Sequence, residues 1–131
     1  MSDSVQVIVE FLRAPGNPFA DAVGDRVYGY EVPAGFDNTQ KAVRVEPLTE
    51  EVEPAEAVMG GRYLFKCMGG DSLVTSARAV AMLLLDRLHG ATEAVASGEL
   101  KYSRCLSMAP GIRDKETGWP CYLATYQILT E

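Results

Sequence analysis

Between Asp71 and Gly90 the apolar positions Leu73, Ala77, Val80, Ala81, Leu84, Leu85 and Leu88 recur at three- and four-residue spacing. That period places them on one stripe and predicts a long helix over about 72–89. Asp71 or Ser72 stands where a side chain can accept a hydrogen bond from the free N–H groups of the first turn. Gly90 stands where a left-handed C-terminal residue is expected. Arg78, Asp86, Arg87 and His89 fall off the stripe or at its edge. Burial of each larger stripe residue is worth about 1.5–3 kcal/mol, so this helix needs a flat apolar partner. The β-patterned runs on either side of it are the candidates.

Ser4–Arg13 carries two periods at once. Val5, Val7 and Val9 alternate as in a strand, while Val5, Ile8, Val9 and Leu12 form a helical stripe that Asp3 or Ser4 could cap. β-branched residues cost a helix only a few tenths of a kcal/mol each, so a helix is predicted, ended by Pro15. Asn17–Val23 predicts a short second helix with Asn17 as cap and Pro18 in the first turn. Gly24 stops it, and a strand is expected over Arg26–Val32.

Pro33–Thr39 has loop composition. Ala42–Leu48 alternates Val43 and Val45 against Arg44 and Glu46 and predicts a strand. Thr49–Gly60 holds Glu50, Glu51, Glu53 and Glu56 around Pro54 with no apolar stripe, which predicts an extended acidic loop. Such a segment is too polar to order alone, and the expectation is that it orders against a neighbouring subunit. Arg62–Met68 predicts a strand with Tyr63, Phe65 and Cys67 on one face. Ala91–Gly98 is a small-residue connection with room for a helical turn. Leu100–Met108 and Pro120–Leu129 predict an antiparallel hairpin around the polar loop Ala109–Gly118. In its second strand Tyr122, Ala124, Tyr126 and Ile128 share a face. The order of elements predicts an α+β domain spanning 1–131, a mostly antiparallel sheet with the N-terminal and long helices packed on one face.

Composition narrows the chemistry. The chain has 131 residues, 18 acidic against 12 basic and a net charge of −6, which argues against a free-standing DNA binder. No apolar run is long enough to span a bilayer, and the N-terminus lacks a basic region before its apolar residues, so a cytosolic setting is expected. Cys67, Cys105 and Cys121 are widely spaced in β-patterned runs, without a C-x-x-C pair, and are expected to be reduced and structural. His89 is the single histidine, placed to favour the helix dipole when protonated. Gly60-Gly61 and Gly69-Gly70 match no phosphate loop and predict turns. The Glu50–Glu56 spacing matches no calcium loop. No nucleophile, base and oxyanion donor assemble, so no catalytic, cofactor or metal residue is assigned and an enzyme is not expected.

The element order, with G-D-R-V-Y at 24–28, the Ser-led helix closing on Leu88-His89-Gly90, Arg113-Asp114 in the last loop and Tyr122-Leu123-Ala124-Thr125-Tyr126 in the final strand, resembles the tail terminator (tail completion) proteins of long-tailed bacteriophages. The resemblance implies a virion subunit at the tail–neck junction, assembled in the host cytoplasm into a hexameric ring that caps the tail tube. Its partners would be further copies of itself, the tail tube protein and a neck or head-completion protein. Genomic DNA would pass through the lumen without sequence-specific binding, and neither membrane nor cofactor is involved. The loops at 33–41, 49–60 and 109–118 match the kind that reach neighbouring rings. Glu50, Glu51, Glu53, Glu56, Arg113 and Asp114 are therefore the candidate interaction residues. The alternatives are another neck protein (a head-completion or stopper subunit) and a small α+β ligand-binding or enzymatic domain with a pocket between helix and sheet.

Overall fold

The computed structural model describes residues 3–53, 58–113 and 118–131. In chain order the elements are α1 (Ser4–Arg13), α2 (Pro18–Val23), β1 (Val27–Gly29), β2 (Ala42–Glu53), β3 (Val58–Met68), α3 (Val74–Leu88), β4 (Glu93–Val95), β5 (Gly98–Arg113) and β6 (Pro120–Thr130). The strands form one six-stranded sheet in the order β1-β2-β3-β6-β5-β4. Only β1 and β2 run parallel; the other pairs are antiparallel. The α+β architecture with helices against one sheet face is as the sequence predicts.

Asp3 caps α1, its Oδ1 accepting the Val5 and Gln6 N–H groups at 3.0 and 3.4 Å. Val5, Val7, Ile8, Val9, Phe11 and Leu12 are all buried, so both periods written into this segment end in the core. The helix keeps only a narrow polar face, at Gln6, Glu10 and Arg13, so its apolar residues read at two periods. The core face of the sheet is made of Val43 and Val45 from β2, Tyr63, Phe65 and Cys67 from β3, and Ala124, Tyr126 and Ile128 from β6. Phe65 and Tyr126 meet edge to face, 5.1 Å between centroids.

The α3 stripe seats Ala77, Val80, Ala81, Leu84 and Leu88 in this core. Leu73 and Val74 lie outside it, 58% and 42% exposed, and Leu85 is half-buried. The helix begins at Val74. Ahead of it, Asp71 accepts the Leu73 N–H and the Ser76 hydroxyl, both at 2.8 Å. A Cβ on Gly69 would stand 2.5 Å from the Ala77 nitrogen, so the turn from β3 into α3 is closed by the absence of a side chain.

Five expectations are corrected. The strand expected over Arg26–Val32 is confined to β1, because Tyr30 takes a positive φ of 68° and turns the chain away. The acidic segment 49–60 is not a loop: β2 continues to Glu53 and β3 begins at Val58, paired Glu50 to Gly61 and Glu53 to Val58. Backbone pairing orders a strand whatever its side-chain polarity, and its cue is non-local. Gly60-Gly61 accordingly lies within β3, not in a turn. The register shifts between Pro47 and Thr49, and Gly61, with φ 150°, has no Cβ to run into the Thr49 carbonyl. Likewise β5 runs on to Arg113, shortening the loop expected at 109–118, and 91–98 contains the edge strand β4 instead of a helical turn. Residues 54–57 and 114–117, with Glu56 and Asp114, lie outside the described residues.

Candidate functional site

The candidate interaction residues fall at opposite ends of the sheet. Glu50, Glu51 and Glu53 lie where β2 and β3 run out beside Thr130 and Leu100. Arg113 lies at the other end, paired with Pro120 where β6 begins beside Met68. The structure does not bring the two groups together.

Glu50 is exposed but reaches the start of α1. Its Oε2 accepts from the Ser4 hydroxyl at 3.4 Å, and Ser4 accepts from the Tyr63 phenol at 2.5 Å. This chain of hydroxyls ties the start of α1 to the β2–β3 arm. Burial pushes the Tyr63 phenol up to about 12, outweighing the Ser4 hydrogen bond that favours ionisation. Arg113 donates Nη1 to the Gly118 carbonyl at 2.9 Å and clasps the base of the second arm.

Residues at the edge of the α3 stripe prove to be fasteners. Arg87 lies 3.9 Å over the Phe11 ring, donates to the Phe11 carbonyl at 3.3 Å and meets Glu93 at 3.5 Å, joining α3, α1 and β4. His89 Nδ1 accepts the Cys105 N–H at 3.0 Å, which puts the ring proton on Nε2. The contact joins the end of α3 to β5. Cys67 and Cys121 are buried and Cys105 half-buried, with no disulfide among them. Burial drives the Cys67 thiol well above its ordinary range.

Ile8, Leu12, Phe65, Leu84 and Tyr126 are all fully buried between helices and sheet. A depression of about 300 Å³ opens at the 25–40 loop, beside Arg26, Tyr28 and Phe36. Another of about 200 Å³ lies between α2 and α3, at Phe19, Leu83 and Arg87. Among the described residues no three His, Cys, Asp or Glu side chains gather where a metal ion could be held, and no helix is long and apolar enough to cross a membrane.

The sheet face away from the helices is the surface that sequence reasoning missed. Cross-strand register lays out its rows. Arg44, Lys66, Leu123 and Ala109 form one; Glu46, Leu64, Thr125 and Ser107 the next; Thr49, Arg62, Gln127 and Arg104 a third. Leu129 and Tyr102 follow, 36% and 38% exposed. Lys66 reaches diagonally to Glu46 at 3.7 Å. Arg44, Arg62 and Arg104 have no ion-pair partner among the described residues. The alternation of Arg44 and Glu46 with Val43 and Val45 was the available local signal. The rows depend on pairings between distant segments.

No protein-family model and no curated protein matches this chain. Its fold is similar to that of a chain in the virion of a native gene transfer agent particle, with a TM-score of 0.65 and 21% identity, covering 98% of this chain and 94% of that one. At that identity the likeness establishes a shared fold over nearly the full length of both chains.

Proposed function

We propose that this chain is a structural, non-enzymatic virion protein, one domain over 1–131, that forms a ring on the end of a phage tail tube. The ring stops tube polymerisation and presents the surface on which the neck joins. The observation that carries this reading is the fold likeness to a virion chain of a gene transfer agent, end to end in both proteins. It agrees with the resemblance of the sequence to tail terminators. The paired strand arms at opposite ends of the sheet suit a subunit with neighbours on two sides, the tail tube protein on one and a neck protein on the other. A net charge of −6 suits a lumen through which DNA slides without adhering. The test is removal of the coding sequence from the virus that carries it, followed by electron microscopy of lysates. Overlong tails separated from filled heads are expected, restored by the chain supplied in trans. Normal virions without the chain would overturn the reading.

A further inference from the structure

The uncovered sheet face carries Arg44, Arg62, Lys66 and Arg104 against a single carboxylate, Glu46, across its central rows, in a chain whose net charge is −6. Arg44 stands directly opposite Lys66. Like charges at paired positions destabilise a sheet, and of these two only Lys66 has an ion-pair partner among the described residues. Arg62 and Arg104 flank Gln127 in one row, both exposed. Leu64 and Leu123 lie among the basic residues, half-buried, and Leu129 and Tyr102 lie in the next row, which begins with Glu51 of the same strand β2. Arginine and tyrosine among aliphatic side chains is the composition of a protein interface. The planar guanidinium suits carboxylates, which it can grip with two hydrogen bonds. A nucleic-acid backbone would desolvate the leucines without matching them.

We infer that this face receives the acidic end of the β2–β3 arm of a second copy, at Glu51 and Glu53. The argument is charge complementarity within one sequence. Basic rows occupy the middle of the sheet, while glutamates 50, 51 and 53 mark the end of β2. Two copies stacked face to face would set arginine on arginine. The contact therefore sets the arm of one copy on the face of another. Where such contacts run head to tail they close into rings when the rotation allows and otherwise run on as filaments. The inference rests on the ring reading above and names the surface that would build the ring.

The test is light scattering after size exclusion, at one protein concentration and low salt. The wild type is compared with R62E/R104E, with E51R/E53R/R62E/R104E, and with R78E on the exposed side of α3 as control. The wild type and R78E should assemble. R62E/R104E should run as a folded monomer, its affinity lowered at least about 100-fold, and the fourfold swap should assemble again. A thermal melt shared by all four shows that the fold is intact. Assembly of R62E/R104E, or a swap that restores nothing, overturns the inference. A wild type that stays monomeric also overturns it. So does wild-type binding of random-sequence duplex DNA that R62E/R104E loses, which would assign the face to nucleic acid. Particle morphology judges the capping role separately: a ring that survives R62E/R104E removes only this inference.

Discussion

The two faces of the sheet are written by alternate residues of the same strands, yet they are built on opposite terms. On the covered face Tyr63, Phe65, Cys67, Ala124, Tyr126 and Ile128 are fully buried under α1 and α3. There apolar area removed from water supplies the stability, and a lost side chain leaves a cavity. On the open face Arg62, Gln127 and Arg104 stand in one row in water. Their substitution removes little from the fold, so their identities are free to serve contacts outside the subunit. Strands with one packed and one wet face thus separate folding from recognition within a single element.

Substitutions can sharpen that contrast or break it. The largest effect is expected at Leu84→Ala beneath the covered face, about 2–5 kcal/mol by urea titration. A shift as small as that of an open-face variant would break the distinction. Arg87→Ala should follow at about 1–2 kcal/mol. It loses the stack on Phe11 and the hydrogen bond to its carbonyl, so this residue at the edge of the stripe behaves as part of the covered side.

Tyr63 gives the covered face a pH signature. Its phenol is raised from 10.0 to about 12 in the folded chain, so the folded state holds this proton more tightly than the unfolded one. The stabilisation is complete below pH 10 and is lost as pH rises through about 12. Tyr126 is raised in the same direction by burial and adds to the loss. Denaturation midpoints against pH for the wild type and Tyr63→Phe should therefore converge above pH 10 as the wild type loses ground. Parallel curves would show that Tyr63 titrates alike in both states. Thiol labelling of native protein should be slow at buried Cys67 and faster at half-buried Cys105, with equal rates only after denaturation. The smallest effect is expected at Gln127→Ala on the open face, within about 0.5 kcal/mol by the same titrations. A cost above about 1 kcal/mol there would mean that the open face also holds the fold.

The elements carried by local pattern were legible in advance. The α3 stripe from Ala77 to Leu88 and the β3 trio Tyr63, Phe65 and Cys67 repeat at the periods of their structures, and the caps at Asp3 and Asn17 are spelled by single residues. The elements misread from sequence are those whose order comes from a partner strand. Glu50–Glu53 has no apolar stripe and is held by backbone bonds to a strand that follows it. Arg113 joins β5 through pairing with Pro120, and β4 exists only as an edge on β5.

The candidate site divides the same way. Glutamates clustered on one segment and an arginine near the last turn are visible as letters. Their separation to opposite ends of the sheet follows from antiparallel register. The amino-acid sequence by itself determined which residues must leave water, because periodicity and transfer free energy are properties of neighbours along the chain. Tertiary structure alone decided that Arg62 and Arg104 share a row, that Glu50 accepts from Ser4 and that His89 accepts from Cys105. Those relations join residues far apart in the chain, and register between strands exists only once the sheet has formed.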